Sequence, residues 1–491
     1  MPNQKSLKSK TLIGLFWSFT DLLANHGIQF GIQIILARIL LPEHFGIIGM
    51  IIIFIAVSNS LVDSGFSQAL IRDQNTTQED YSTIFYFNFV ISLVMYILLY
   101  ISAQMISSFF EEPQLVKIIR VLSLVLIINS LGIIQKVMLI KKVDFKTITK
   151  VSVIAVIISG SLTITMALLG YGVWSLVFNM LSLQFVQTIL LWFFNKWIPS
   201  MTFKFQSFNK FFNFGYKLLL SGLIDTFFNN IYFLIIGRLF PANQLGFYTN
   251  AVKVRDLASS SIAATVQRVT YPVLSSIRED EERLKFGFKT MIKTAAFINF
   301  PLMIGLAAIA KPLFIVLLGE KWIPSVIYFQ LLCFAGMLYP LHAINLNMLQ
   351  VKGRSDLFLL LEIIKKVVLM ILIILSLSFG LGIIGLIWAA VINSFVSLLI
   401  NSFFSAREID YSTMEQIKDL VPIFFITIIM GIVVSQVGRI LVGNHLLQLI
   451  CQINIGIVIY IVISKLAKIQ ELNTLYHMTL PLLKKIKKFS G

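Results

Sequence analysis

Apolar stretches of about 20 residues or more, each long enough to cross a bilayer, recur from residue 11 to residue 465 with short polar segments between them. The pattern predicts about fourteen helical spans. Six fall at 11–37, 45–70, 81–108, 114–135, 149–169 and 173–195, and six more at 212–237, 245–274, 288–310, 325–349, 357–379 and 383–405. Two further spans, 417–438 and 446–464, complete the count. The first is too long, and its flanks too polar, to read as a cleaved signal sequence.

The first twelve spans repeat. Arg38, Pro42 and Gly46 follow one hydrophobic segment, and Arg238, Pro241 and Gly246 follow another 200 residues later, with eight residues from Arg to Gly in both. Each copy holds an even number of spans, so both enter the membrane from the same side, as parallel repeats do. The expected fold is an all-α polytopic membrane protein with two parallel six-helix lobes and two extra helices. The boundaries are residues 1–197, an interfacial linker at 198–211, a second lobe at 212–406, and 407–491 for the last two helices and a basic tail. The linker belongs to a stretch from Ile198 to Phe214 in which Phe203, Phe205, Phe208, Phe211 and Phe212 intermingle with Lys204, Asn209 and Lys210, as in a helix lying along a membrane surface.

Polar positions inside the spans carry the candidate chemistry. Asp21, Asn25, Gln29 and Gln33 recur every four residues. Four residues advance a helix by ~400°, so the side chains form one slowly drifting stripe. Ser221, Asp225 and Asn229 repeat it 200 residues on. Amides and serines of this kind commonly bond neighbouring helices. An aspartate deep in a membrane more often faces water or a partner, which makes Asp21, Asn25, Gln29, Asp225, Asn229 and Asp256 candidate cavity-lining groups.

Lys253, Arg255 and Asp256 fall within four residues of the eighth span, with Gln267 and Arg268 beyond. The matching positions of the second span, Ile53 and Ile55, are apolar, so the basic cluster belongs to one lobe. A Lys253–Asp256 pair at i,i+3 would be a purely structural use of it. An anion receptor is the functional alternative, and phosphate suits guanidinium well. Glu362 and Lys366 are spaced as an i,i+4 pair near the start of the eleventh span, where lysines can snorkel to headgroups.

Composition agrees with a membrane chain: 57% of residues are hydrophobic and 13% charged, against roughly 25% charged in soluble proteins. The net charge of +17 concentrates on the segments that face the cytoplasm if the N-terminus is inside, including Lys141, Lys142, Lys146, Lys204, Lys210, Arg278, Arg283, Lys285, Lys352, Arg354 and the tail from Lys484 to Lys488. That is the positive-inside bias rather than a nucleic-acid footprint, and it puts both termini in the cytoplasm. Cys333 and Cys451 both lie within apolar spans, and His26 and His342 stand alone, so no disulfide framework, metal site or cofactor is indicated. There is no phosphate-binding loop and no nucleophile triad on the loops, so the expectation is a transporter, not an enzyme.

The stretches LARILLPEHFGIIGM, LVDSGFSQALI with Asp63 and Gly65, IIGRLFPANQLGFYTNAVKVRD and YPVLSSI resemble Wzx-type polysaccharide flippases, in the branch of colanic acid and teichuronic acid exporters within the multidrug, oligosaccharidyl-lipid and polysaccharide exporter superfamily. The resemblance implies alternating access and a cargo of undecaprenyl-diphosphate-linked oligosaccharide, moved to the outer leaflet of a bacterial inner membrane for lipopolysaccharide, capsule or exopolysaccharide synthesis. It implies that Lys253, Arg255 and Arg268 receive the diphosphate and that Asp21 binds a coupling cation. Membrane lipids, a polysaccharide polymerase and export proteins are the implied partners, without nucleic acid. Two alternatives remain: a cation-coupled multidrug antiporter of the same superfamily, and a membrane glycan polymerase or ligase.

Overall fold

A computed structural model describes residues 4–441 and 443–476, apart from the side chains of 4–16, 18, 19, 22, 23, 260, 261, 265, 268 and 355. Every regular element among the described residues is a helix. Eleven helical stretches there are long and apolar enough to cross a membrane. The chain divides into two compact units, one ending at Thr249 and the other beginning at Asn250.

The first unit contains α1 (Gln4–Ile39), α2 (Pro42–Asp63), α3 (Phe66–Arg72), α4 (Gln78–Phe110), α5 (Leu115–Leu122), α6 (Leu124–Lys141), α7 (Phe145–Leu168), α8 (Val173–Asn195), α9 (Phe205–Leu239) and the start of α10 (Ala242–Ser276). The second holds the rest of α10, then α11 (Glu281–Ala308), α12 (Ala310–Leu317), α13 (Ser325–Gly336), α14 (Tyr339–Val351), α15 (Ser355–Ser378), α16 (Gly382–Ile409), α17 (Thr413–Ile440) and α18 (His445–Leu466). Helices α10 and α15 are outside the eleven, and both carry charged clusters: Lys253, Arg255 and Asp256 in one, Glu362, Lys365 and Lys366 in the other.

Local sequence explains where helices begin and break. Thr77 and Asp80 close α4 with a reciprocal capping box, and Ser412 and Glu415 do the same for α17. Pro42 occupies the first turn of α2, where its missing N–H costs nothing. Between α2 and α3 both Ser64 and Gly65 have positive φ, so the span kinks there.

The expected surface helix between the repeats is not a separate element. Residues 205–211 are the first two turns of α9, which runs unbroken to Leu239 because no glycine turn or proline interrupts it. The extended segment before it is held by hydrogen bonds: Gln78 Nε2 donates to the Ile198 carbonyl at 2.8 Å, Trp197 Nε1 to Gln78 Oε1 at 2.6 Å, and the Ser200 amide to Ser82 Oγ at 2.9 Å. Under it lies an aromatic core of Phe66, Tyr81, Phe85, Trp197 and Phe211.

Helix α2 lies along α9. Gly65 and Gly215 touch at one end, where a Cβ on either would meet backbone of the other segment at 2.7–2.8 Å. Ser60 and Thr226 share a hydrogen bond of 3.0 Å further along. At the other end the two repeated phrases interlock, Gly46 against Ala242 and Gly246 against Pro42.

Candidate functional site

In the first unit the polar stripe of α1 forms as its spacing predicts. Asp21 is half-buried and faces Ser152 of α7, with Lys136 and His26 acting on it electrostatically. Its Oδ1 is buried without a hydrogen-bond partner. Gln29 Nε2 donates to Asn25 Oδ1 at 2.8 Å. Asp225 is half-buried and Asn229 exposed on α9.

Sequence periodicity missed an amide chain across three helices of this unit. Gln184 donates to Asn129 Oδ1 at 3.1 Å, and Asn129 Nδ2 donates to Asn59 Oδ1 at 2.9 Å. The three amides lie on three different helices, two of which carry other amides as well, and no single-helix pattern connects them.

In the second unit the basic cluster separates by side. Lys253 and Arg255 are two positions apart, so a helix turns them by roughly 200°. Lys253 is exposed. The Arg255 side chain is 11% exposed, and its Nε and Nη2 donate to Asp256 Oδ1 at 2.8 and 2.6 Å. Asp256 therefore pairs with its neighbour in sequence as well as lying at i,i+3 from Lys253. The Arg255 guanidinium lies 5.4 Å above the ring of Tyr339. The side chain of Arg268 lies outside the described residues.

A second polar centre, in α14–α16, was only partly foreseen. His342 Nε2 lies 3.1 Å from Ser394 Oγ, and Ser405 Oγ donates to Asn345 Oδ1 at 2.5 Å. Lys365 does not snorkel: it is buried and pairs with Glu362 at i,i+3, while Lys366 stands 4.0 Å from the same carboxylate. Buried in the helix bundle, the ammonium is neutralised by the carboxylate one turn away.

Long apolar helices that each carry a few charged or amide side chains describe a polytopic membrane protein, and the comparisons agree on its class. The fold is similar to that of the lipid II flippase MurJ in an inward closed conformation, with a TM-score of 0.74, 16% identity and coverage of 93% of this chain and 98% of that one. It is also similar to an inward-facing multidrug resistance MATE transporter of the MOP superfamily, with a TM-score of 0.62, 16% identity and coverage of 79% and 94%.

The chain belongs to the polysaccharide biosynthesis protein family, whose model matches residues 35–327. It is 29% identical to the teichuronic acid biosynthesis protein TuaB of Bacillus subtilis over 77% of this chain and 78% of that protein. It is 24% identical to the lipopolysaccharide biosynthesis protein WzxC of Escherichia coli, over 80% and 81%.

Proposed function

We propose that this protein flips an undecaprenyl-diphosphate-linked oligosaccharide from the cytoplasmic to the outer leaflet of a bacterial inner membrane by alternating access, for surface polysaccharide synthesis. The observation that carries the reading is the basic pair on α10 in a chain of this family. A lysine and an arginine deep in a membrane helix are costly unless they face water or a charged partner, and only one repeat has them. Arg255, with Arg268, receives the diphosphate, and Lys253, on the other face of α10, adds positive charge to the same helix.

Taken as single spans, α2–α3, α5–α6, α11–α12 and α13–α14 join the ten unbroken helices to make fourteen crossings. On this reading residues 1–197 and 212–406 are parallel six-helix lobes, and the lysines and arginines of the loops support a cytoplasmic side for both termini. A groove of about 480 Å³ lined by Pro301, Leu306, Met430, Ile453 and Ile457 offers an isoprenoid chain an apolar bed. The Oδ1 of Asp21, buried without a hydrogen-bond partner, suits a coupling cation, and Asn25, Gln29, Asp225 and Asn229 in the first unit and Asp256 in the second are further polar groups a cargo could meet. A polymerase of the same polysaccharide would take the product.

Reconstituted vesicles test the reading. Wild-type protein should move a fluorescent undecaprenyl-diphosphate glycan between leaflets, and Lys253→Ala with Arg255→Ala should abolish this while the variant still elutes as folded protein. Transport of organic cations without movement of the lipid would replace this function with drug antiport.

A further inference from the structure

Among the described residues, side chains serve the break between α13 and α14 on its carbonyl side only. Ser394 Oγ donates to Ala335 O at 3.2 Å, and Asn299 Nδ2 donates to Gly336 O at 3.1 Å and Met337 O at 2.8 Å. The start of α14 has no such help. Leu338 is its N-cap residue and offers no side-chain acceptor, and Pro340 sits in the first turn. A helix start of this kind keeps a partial positive charge.

Two side chains of α10 reach the same place. Ser259 is fully buried and its Oγ has no hydrogen-bond partner. It stands 3.2 Å from the position a Cβ on Gly336 would take, and Arg255 Cδ stands 3.3 Å from that point. Arg255 and Ser259 are four residues apart and share one helix face. The guanidinium then covers Tyr339, the first residue of α14. Depth agrees: at 1.5 Å per residue, Arg255 lies roughly 20 Å into α10 and the break roughly 18 Å from the start of α13.

We infer that the diphosphate of the lipid-linked cargo is received at this break, with Arg255, the Ser259 hydroxyl and the first N–H groups of α14 as its donors. The inference rests on the flippase reading and adds Ser259 and the α14 start to it. An orphaned hydroxyl is unfavourable in an empty protein, so its removal separates binding from folding.

The test uses full-length protein in nanodiscs with undecaprenyl diphosphate as probe and undecaprenol, which lacks the phosphates, as control. Ser259→Ala is expected to leave thermal stability equal or higher and to weaken undecaprenyl diphosphate about tenfold, as loss of a hydrogen bond to a charged group does. Undecaprenol binding should not change. If Ser259→Ala binds undecaprenyl diphosphate as wild type does while Lys253→Ala weakens it, the helix break is not the site and the flippase reading survives. Equal weakening of both lipids also overturns the site. If wild-type protein binds no undecaprenyl diphosphate, the flippase reading falls and the site with it.

Discussion

Gly46 and Gly246, the closing glycines of the two repeated phrases, each lie against the helix start of the other copy: a Cβ on Gly46 would collide with the Ala242 carbonyl, and one on Gly246 with the Pro42 carbonyl. The contact is backbone on backbone, so no side-chain rotation can relieve it. Gly46→Ala and Gly246→Ala should each cost about 1–3 kcal/mol, the usual price of overpacking, and lower the thermal midpoint of the purified protein. Gly27, with nothing within 4 Å of its Cβ position, is the control, and its alanine variant should match or exceed wild type. Equal midpoints for all three variants would remove the steric argument.

The segment joining the repeats is anchored by charge as well as by hydrogen bonds. Lys204 Nζ lies 2.5 Å from Glu79 Oε2, and Lys210 pairs with Asp73. The Lys210 ammonium, helped by the Asn75 amide, holds the Asp73 carboxyl below the usual carboxylate range. A depressed carboxylate stabilises the fold above its unfolded value of 3.8 and loses that contribution as pH falls through the folded value. The stability gap between wild type and Asp73→Asn should therefore be present at pH 7 and shrink below pH 3.8. Because the pair is partly exposed, with Lys210 more open than Asp73, solvent screens it, and the gap should be only ~0.2–1 kcal/mol and should fall with added salt. A gap that widened in acid would contradict the assignment.

Much of this was legible in the sequence because it is periodic. Hydropathy gave the eleven long apolar helices among its fourteen expected spans, a 200-residue offset gave the matching phrases, and four-residue spacing gave the α1 stripe in which Gln29 donates to Asn25 at 2.8 Å. What stayed hidden depends on partners far apart in sequence. Nothing about Asn299 announces that its acceptors are Gly336 and Met337, and nothing about Ser259 announces Gly336. The break itself falls between two apolar residues, Met337 and Leu338, which hydropathy reads as continuous span. The i,i+3 choice of Lys365 over a path to the headgroups likewise follows from burial, which spacing does not encode.

Glu362 and Lys365 are both within the helix bundle, with side chains 23% and 10% exposed. Removing one member of a buried pair leaves the other charge uncompensated, at a typical cost of about 3–5 kcal/mol, whereas replacing both with apolar residues is often tolerated. Glu362→Gln should thus express poorly or unfold early. Because Lys366 stands 4.0 Å from the same carboxylate, Glu362→Leu must be combined with both Lys365→Met and Lys366→Met to recover most of the thermal midpoint. If the triple variant were no better than the single one, the cluster would have a role other than mutual neutralisation, and transport assays on both variants would show it.

Asn299 supplies the other half of the α13–α14 break. It is fully buried, and its one amide nitrogen serves the two carbonyls that the helix end leaves open, at 3.1 and 2.8 Å. Leucine has a similar volume and no donor, so Asn299→Leu would leave both carbonyls unpaired in the membrane interior. An unsatisfied buried acceptor costs ~1–3 kcal/mol, so the variant should lose at least that much stability. Asn299→Asp is the sharper variant, because its buried carboxyl must keep a proton to donate to either carbonyl and would repel both once ionised. Its thermal midpoint should therefore fall as pH rises, while that of Asn299→Leu should not change in that way. Asn299→Gln keeps the donor on a longer arm and should fall between wild type and leucine. An aspartate variant as stable as wild type would mean that the break does not depend on donation from α11, and the geometry of the α14 start would need another support.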